Sequence, residues 1–265
     1  MAPKDSIIVI KIGGSTLGNN GTILEDILLL QAQQYKPVVI HGGGKLINKW
    51  MERQGIFPRF VNGLRVTDED AIDIVVSVLG GVINKRMVVE ISNAGGKAIG
   101  ICGIDGRIFE STVQDPSLGY VGKITKVNDQ LINDVLSTGY IPLIAPLGIN
   151  STKEPPGSEI LNINADAAAG EIASALKAER LVFLTDVEGV LDVNNQLIEA
   201  VSLEQGKTLL ESGIVKHGMI PKLAAGLKAC GSGSDVSIIN GNTLKALLHS
   251  VHGKKIGTII KRGDQ

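Results

Sequence analysis

Two segments near the start of the chain repeat one pattern of buried strand, glycine-rich turn and helix. The apolar strand Ser6–Ile12 ends at Gly13 and Gly14, and apolar residues at helical spacing follow. A second strand, Lys36–His41, runs into Gly42-Gly43-Gly44 and another helical segment. Strands that alternate with helices form parallel sheets covered on both faces. The pattern therefore predicts an α/β fold, a three-layer αβα sandwich with a mostly parallel central sheet.

Apolar periodicity predicts the other elements. A long helix is expected from Asp68 to Ser92, after a near capping box of Thr67 and Asp70. Gly80-Gly81 in its middle permit either a close backbone crossing or a simple kink. Residues 106–126 are expected to form irregular hairpins. The remaining predicted elements are strands Lys97–Cys102, Ile141–Ala145, Leu181–Thr185, Val236–Asn240 and Gly257–Lys261, and helices Asn20–Gln34, Ala165–Leu176, Leu203–Ser212, Met219–Cys230 and Thr243–Val251.

The composition argues against several classes of protein. Aromatic residues make up 3% of the chain, and 26 basic against 27 acidic residues leave a net charge of -1, so no nucleic acid is expected as a partner. Cys102 and Cys230 have neither CxxC spacing nor a histidine cluster, which argues against zinc and against disulfides. No stretch reaches the roughly 18 to 20 apolar residues that span a bilayer, and residues 1–6 carry no apolar signal region. We expect a cytoplasmic protein that does not bind membranes.

Lys11 stands at the end of an apolar strand, and only Ile12 separates it from the first glycine-rich turn. Ligands of α/β proteins bind at the carboxyl ends of parallel strands, and glycines there let backbone N–H groups approach phosphate oxygens. On this feature alone, an ordinary strand-end lysine whose ammonium group reaches solvent is the simpler explanation.

The second glycine-rich turn, His41-Gly-Gly-Gly-Lys45, is not a P-loop, because Leu46 follows Lys45 and no glycine occupies the required upstream position. It remains a strand-to-helix junction whose free N–H groups form an anion site. Two such junctions after consecutive strands of one sheet can face the same crevice and hold two anions.

Five further polar residues are candidates for binding or catalysis. Arg65, just before the long helix, has the fork geometry that suits a carboxylate, although a surface arginine at a turn explains it as well. Asn162, Asn164 and Asp166 precede or open a helix of small residues, and a plain N-cap explains only one of Asn164 and Asp166. Lys222 lies in a first helical turn, where the helix dipole disfavours a cation; this indicates either a bound anion or an exposed lysine.

Together these motifs resemble those of the amino-acid kinase family, over nearly the whole chain. The Asn-Gly-Leu-Arg-Val-Thr and Asn-x-Asn-Ala-Asp runs resemble its acetylglutamate branch in particular. The motifs in chain order are Lys11-Ile-Gly-Gly-Ser15, His41-Gly-Gly-Gly-Lys45, Asn62-Gly-Leu-Arg-Val-Thr-Asp68, Asn162-Ile-Asn-Ala-Asp166, Leu184-Thr-Asp-Val-Glu-Gly189 and Gly218-Met-Ile-Pro-Lys222.

The resemblance implies a role for each motif. Residues 1–176 would form the acyl-substrate and dimer lobe and residues 177–265 the ATP lobe. Lys11 and Lys222 would stabilise the transferring phosphoryl group, and Asp166 would organise both lysines. The acyl substrate would be held by Gly43, Gly44, Arg65 and Asn162. ATP would contact Lys11, Gly13, Gly14, Asp186, Gly189, Val190, Leu191, Ile214, Val215, Lys216 and Lys222. Mg²⁺ would be held mainly by the nucleotide phosphates, with few or no protein ligands.

The reaction that the resemblance implies is transfer of the ATP γ-phosphoryl group to the γ-carboxylate of N-acetyl-L-glutamate, in arginine biosynthesis. Since only ten residues precede Lys11 and an N-terminal helix links arginine-inhibited relatives into hexamers, we expect an arginine-insensitive homodimer. A PII-type regulator is not excluded. One alternative is a related kinase of carrier-linked aminoadipate or of another amino-acid carboxylate. Another is a dinucleotide-dependent oxidoreductase, but the G-x-G-x-x-G motif of that class is missing from this sequence. A third is a sensor that binds the ligand without turnover.

Overall fold

The computed structural model describes residues 2–14, 20–61, 63–152, 154–216 and 218–261, with the backbone alone for residues 20 and 21. The chain forms two compact units. The terminal unit comprises Met1–Val39 and Ala169–Gln265, and the central unit comprises Ile40–Ala168. The functional division at residue 176 stays a prediction.

The described residues form the following elements. The strands are β1 Ile7–Ile12, β2 Lys36–His41, β3 Phe60–Val61, β4 Leu64–Arg65, β5 Ala98–Cys102, β6 Phe109–Val113, β7 Val121–Val127, β8 Ile141–Ala145, β9 Leu147–Asn150, β10 Ile160–Ile163, β11 Arg180–Thr185, β12 Ala200–Ser202, β13 Asp235–Asn240 and β14 Thr258–Lys261. The α-helices are α1 Asn20–Ala32, α2 Gly44–Arg53, α3 Glu69–Val76, α4 Asn84–Asn93, α5 Gln130–Ser137, α6 Ala165–Ala175, α7 Leu203–Glu211, α8 Met219–Ser232 and α9 Ala246–Val251. A π-helical segment, Ser77–Ile83, joins α3 to α4, and short 3-10 turns lie at Asp105–Arg107 and Pro116–Leu118.

A mostly parallel sheet forms the core of the terminal unit. Its strand order is β12-β14-β13-β11-β1, with β2 next to β1. The β1–β11 and β11–β13 pairs are parallel, and β14 runs antiparallel to β13. In β1 and β11 every residue after the first is buried, as expected where helices cover both faces of a sheet. The predicted α/β fold with a mostly parallel sheet and flanking helices is confirmed.

Helix α8 packs against β11, β13 and β14 of this sheet, and α7 packs against α8. Helix α6 also lies against α8. The two backbones come so close that a Cβ atom at Gly170 would stand 2.9 Å from the carbonyl oxygen of Ala225. Glu171 and Lys228 pair at 2.5 Å near the same contact. The prediction that α9 begins at Thr243 is wrong by three residues, since Lys245 has a left-handed φ of 58° and the helix begins after it.

The central unit combines a parallel strand pair with a small closed barrel. Strands β5 and β8 pair in parallel, and the barrel order is β10-β7-β6-β9. Residues 106–126, which were expected to form irregular hairpins, instead contain the regular antiparallel pair β6–β7 with one bulge between Glu110 and Ser111. The short strands β3, β4, β9 and β10 were not predicted, nor was α5.

The predicted long helix is confirmed as the continuous helical stretch from Glu69 to Asn93. Its N-cap is Asp68, whose carboxylate accepts a hydrogen bond from the backbone N–H of Ala71; the predicted cap at Thr67 is wrong. Gly80 belongs to the π-helical segment, where a Cβ atom would lie 2.9 Å from the Sγ of Cys102. A close approach therefore explains Gly80. None of the described helices is both long and apolar enough to cross a membrane.

Candidate active site

Lys11 occupies the carboxyl edge of the terminal-unit sheet, as its position in the sequence predicted. It is the second-last residue of β1, lies opposite Phe183 of β11 and is 5% exposed. Directly after the strand, the backbone N–H of Gly13 donates to the carbonyl oxygen of Leu184 at 3.2 Å. Gly14 is half-buried. Ser15, the last residue of this motif, lies outside the described residues.

Lys222 lies at the same edge of the sheet as Lys11. It belongs to the first turn of α8, and only Gly233 and Ser234 separate the end of α8 from β13, so the helix runs back along the strands. A helix of 14 residues is about 21 Å long and a strand of 6 residues about 20 Å, so the first turn of α8 reaches the ends of the strands. The Nζ of Lys222 donates to the carbonyl oxygen of Gly218 at 3.0 Å.

A cavity of about 530 Å³ brings together two segments that the sequence analysis assigned to ATP. Gly189, Val190 and Leu191 line one side, and Ile214, Val215 and Lys216 line another. The volume falls in the range of small-molecule sites, about 300 to 1,000 Å³. Asp186 follows β11 directly and is exposed, and it does not line the cavity.

Apolar side chains near this cavity are unusually exposed. Val187, Leu191 and Val193 line it and are 40%, 37% and 72% exposed. Exposed apolar surface in a concave site is typical of a site that covers a flat apolar ligand such as a purine ring. The loop that contains Gly189 can approach β14 closely because glycine has no Cβ atom. A Cβ atom there would stand 2.5 Å from Oγ1 of Thr258. The same Oγ1 accepts a hydrogen bond from the N–H of Val190 at 2.8 Å.

In the central unit the structure brings Gly43, Gly44 and Arg65 together. Gly43 is the N-cap of α2 and Gly44 its first residue. The Nη2 of Arg65 donates to the carbonyl oxygen of Gly44 at 3.2 Å and to Oδ1 of Asn48 at 2.5 Å. The guanidinium also stands 4.8 Å from the ring centre of Phe60. Arg65 is therefore fixed beside the glycine-rich turn, as its proposed partnership with Gly44 requires.

The charge of Arg65 is buried without a counter-ion among the described residues. Its residue surface is 8% exposed, and its recorded hydrogen bonds go to neutral groups: the oxygens of Gly44 and Asn48 and the Sδ of Met51. Burial lowers its pKa to about 10, so it is cationic at neutral pH. A buried cation held by neutral partners is destabilised until an anion pairs with it, so this arrangement favours a carboxylate ligand.

The polar residues of the Asn162–Asp166 motif make different contacts. The Nδ2 of Asn162 donates to Oγ1 of Thr67 at 3.0 Å, which ties β10 to the residues just after Arg65. Asn164 is the cap of α6, since its Oδ1 accepts from the N–H groups of Asp166 at 2.9 Å and Ala167 at 3.0 Å. Asp166, in the first turn of α6, is 5% exposed and is not needed as a cap.

The sequence from residue 6 to residue 240 matches the model of the amino acid kinase family. The chain belongs to this family. Acetylglutamate kinase of Dehalococcoides mccartyi is 43% identical over 258 residues, which cover 97% of this chain and 95% of that protein. Acetylglutamate kinase of Kosmotoga olearia is 44% identical over 96% of this chain and 90% of that protein. The solved structure of smu.665 from Streptococcus mutans UA159 has a TM-score of 0.82 and 31% identity, over 96% of this chain and 98% of that one.

Several residues of this amino acid kinase site were not predicted. Asn48 and Phe60 hold Arg65, and Thr67 holds Asn162. Asn48 lies four residues after Gly44 on α2, and this helical spacing is the one sequence signal that points to it. Asn62 lies outside the described residues. In the described part of the chain, no group of three or more His, Cys, Asp or Glu side chains is arranged to hold a metal ion.

Proposed function

We propose that this amino acid kinase transfers the γ-phosphoryl group of ATP to the γ-carboxylate of N-acetyl-L-glutamate. The observation that carries the proposal is the buried guanidinium of Arg65, which lies against Gly44 and has no carboxylate partner among the described residues. The α-carboxylate of the acyl substrate would supply that partner in a bidentate pair. The curated relatives that match nearly the whole chain carry the name acetylglutamate kinase, which supports the choice of substrate.

The proposed reaction needs no general base. A side-chain carboxylic acid with a pKa near 4.3 is ionised at neutral pH, so the γ-carboxylate is already a nucleophile. Its oxygen attacks the γ-phosphorus, the bond to the β-γ bridging oxygen breaks, and ADP leaves with that oxygen's electron pair. The protein's task is to hold the nucleophile and phosphorus in line and to offset negative charge on the phosphoryl oxygens.

Lys11 and Lys222 are the proposed source of that positive charge. Both lie at the carboxyl edge of the terminal-unit sheet. We propose that Gly13, which has no side chain, lets phosphate oxygens approach there, and that Gly14 offers its backbone N–H group to them. We propose that Asp166 orients the two ammonium groups, as the family resemblance implies. The cavity lined by Gly189–Leu191 and Ile214–Lys216 would hold the adenosine part of ATP, with Asp186 near the ribose.

Mg²⁺ is the proposed metal, carried by the phosphates of the nucleotide. Mg²⁺ commonly keeps several waters and takes one or two protein carboxylates together with substrate phosphates. We propose that few or no side chains of the protein bind this ion directly. Bound Mg²⁺ would neutralise charge on the β- and γ-phosphoryl oxygens.

The assembly and the cellular role are parts of the same proposal. We propose that residues 1–176 bind the acyl substrate and residues 177–265 bind ATP. We also propose a cytoplasmic homodimer joined through the helical stretch Glu69–Asn93, on whose exposed side Gly81 leaves open space and Val89 is 55% exposed. Arginine biosynthesis would be the pathway. Light scattering of the purified protein tests the assembly: a mass of two chains is expected, and a hexamer would contradict it.

The substrate is tested by measuring ADP release with four acceptors: N-acetyl-L-glutamate, glutamate, aspartate and carbamate. We expect kcat/KM for acetylglutamate to exceed the others by at least about 100-fold, because a site that pairs buried polar groups with one ligand rejects analogues that leave them unpaired. Equal rates with all four acceptors, or a preference for carbamate, would refute the proposed substrate. A carrier-linked aminoadipate acceptor serves as the control for the alternative kinase.

A further inference from the structure

A chain of hydrogen bonds inside the central unit ends at the glycine-rich turn. The imidazole of His41, the last residue of β2, is fully buried, and its Nδ1 lies 3.1 Å from the carbonyl oxygen of Gly42. Its Nε2 lies 3.2 Å from Nδ2 of Asn84, which is also fully buried. Neither side chain can touch a ligand, so any effect on the reaction must pass through the backbone of the turn.

The partners of Asn84 determine the tautomer of His41. The Nδ2 of Asn84 donates to the carbonyl oxygen of Leu143 at 2.9 Å and approaches that of Ile101 at 3.3 Å. Its Oδ1 accepts from Nζ of Lys85 at 3.1 Å. Of the two hydrogens on Nδ2, one goes to Leu143 and the other is shared between Ile101 and Nε2 of His41. The imidazole Nε2 therefore accepts, and Nδ1 carries the proton. That proton is donated to the carbonyl oxygen of Gly42.

Because the peptide bond is planar, the hydrogen bond to the carbonyl oxygen of Gly42 also fixes the direction of the following N–H group. In a trans peptide the C=O and the following N–H point in opposite directions. Because the carbonyl of Gly42 faces the imidazole of His41, the N–H of Gly43 faces away from it. The carbonyl of Gly43 in turn accepts from the N–H groups of Leu46 and Ile47 at 3.0 Å, so the N–H of Gly44 points out of the start of α2.

The glycine-rich turn packs closely against the π-helical segment. A Cβ atom at Gly43 would stand 2.6 Å from Cδ1 of Ile83 and 2.7 Å from Cδ2 of Leu79, so the turn rests on the π-helical segment. Asn84 follows that segment directly. A Cβ atom at Gly100 would stand 2.0 Å from Oδ1 of Asn84, so a glycine is required to admit the amide. π-Helical turns of this kind are frequent at functional sites.

We propose that His41 and Asn84 are positioning residues that fix the Gly42–Gly43 peptide so that the N–H groups of Gly43 and Gly44 face the acyl substrate. This inference rests on the proposed function for the identity of the substrate. The fixed N–H groups bind the charge that develops on the transferring group or on the acceptor, and they need no reorganisation when it forms. Without the imidazole, the flexible triple glycine samples other peptide orientations and the substrate must select one.

Two substitutions of His41 separate its two hydrogen bonds. In His41→Asn the amide nitrogen takes the place of Nδ1 and still donates to the carbonyl oxygen of Gly42. In His41→Gln the amide oxygen takes the place of Nε2 and still accepts from Asn84, but the bond to Gly42 is lost. We expect His41→Gln to raise KM for acetylglutamate about tenfold, with KM for ATP unchanged within about twofold, and His41→Asn to lie closer to the wild type.

Control variants test whether a rise in KM comes only from a general loss of stability. Asn150 is also buried in the central unit, where its Nδ2 donates to Oγ of Ser158 at 2.7 Å, so Asn150→Ala reports a general loss of stability. It is expected to leave KM for acetylglutamate unchanged. Asn84→Ser, which shortens the amide side chain, provides a second test if His41→Gln does not fold, and a rise in KM of the same kind is expected. Equal KM values for His41→Gln and the wild type, or equal rises in His41→Gln and His41→Asn, would overturn the proposal.

Hydrogen exchange of the Gly43 amide, measured without substrate, decides the positioning role independently of the proposed function. Faster exchange in His41→Gln than in His41→Asn is expected, and identical exchange in both would overturn the inference. If the wild type does not phosphorylate acetylglutamate, the proposed function fails while the exchange result still stands.

Discussion

The Nη2 of Arg65 donates a hydrogen bond of 3.2 Å to the carbonyl oxygen of Gly44. These residues are 21 positions apart in the sequence, and the contact ties strand β4 to the first turn of α2. We propose that the guanidinium and the N–H groups of that turn form one anion-binding surface within the central unit.

Arg65→Lys should lower kcat/KM for acetylglutamate by roughly 10- to 100-fold, because a lysine offers one point charge where the guanidinium offers a bidentate fork. KM for ATP should change little. Arg59→Lys is the matched control, since Arg59 is exposed and pairs with Asp68 at 3.2 Å. Steady-state kinetics of ADP release give both values. Equal losses in the two variants would show that Arg65 does not hold the substrate.

Lys222→Ala and Lys11→Met should each reduce kcat by at least about 100-fold, because each removes a cation from the developing charge on the phosphoryl group. Lys228→Ala, farther along α8, removes an exposed lysine that pairs with Glu171 and should retain kcat. Circular dichroism would check that all three variants are folded. A folded Lys222→Ala or Lys11→Met variant with nearly normal turnover would remove that lysine from the mechanism.

Gly189→Ala should weaken ATP binding and lower the free energy of unfolding by about 1 to 3 kcal/mol, because the new Cβ atom would stand 2.9 Å from the backbone nitrogen of Thr258. Gly231→Ala in α8 is the control: nothing lies within 4 Å of its Cβ position, and alanine favours a helix. Urea unfolding and KM for ATP are the measurements. If Gly189→Ala is as stable and as active as Gly231→Ala, the close approach at Gly189 is not needed for stability or for ATP binding.

Asn164→Ala should lower the free energy of unfolding by about 1 kcal/mol, because two backbone N–H groups at the start of α6 lose their acceptor. Asn164→Ser keeps a capping oxygen and should stay close to the wild type. Urea denaturation distinguishes the two. A stable Asn164→Ala variant would mean that another group caps this helix.

The lowered pKa of His41 should make the free energy of unfolding depend on pH. Burial lowers its pKa from the ordinary 6.5 to about 4, with a smaller contribution from the nearby charge of Lys85. Since the unfolded chain binds a proton at higher pH than the folded chain, this contribution to stability is complete above about pH 6.5 and decreases as the pH falls toward 4. The decrease is at most about 3 kcal/mol. His41→Gln should remove this part of the slope between pH 7 and 4 in urea titrations; an unchanged slope would contradict the assignment.

Local sequence patterns predicted the helices and strands that depend on neighbouring residues in the chain. The position of Lys11 followed from an apolar strand that ends at glycines, and the helical stretch from Glu69 to Asn93 followed from apolar periodicity. The strand ends were likewise predicted from their neighbours in the sequence, whereas the loop at Gly189 was assigned to ATP by the family resemblance. The α/β fold with a mostly parallel sheet was therefore predictable, because the sheet is built from repeated strand and helix units. The amino acid kinase family was indicated by the resemblance of the motifs.

Contacts over long sequence separations could not be predicted in this way. Phe60 and Asn48 meet Arg65 only because a hairpin and a helix pack together, and Asn84 reaches His41 across 43 residues. The barrel strands β9 and β10 have four residues each, which is too short for periodicity to distinguish them from loops. At the start of α3, the side chain of Thr67 bonds to the carbonyl oxygen of Arg65, so the cap passes to Asp68.

The most direct test of the proposed reaction is to identify its product. The purified protein is incubated with ATP, Mg²⁺ and N-acetyl-L-glutamate in the presence of hydroxylamine, which traps an acyl phosphate as a hydroxamate. We expect the γ-hydroxamate of acetylglutamate in an amount equal to the ADP released, and none when the acceptor is omitted. Release of ADP without hydroxamate, or no reaction at all, would contradict the proposed reaction.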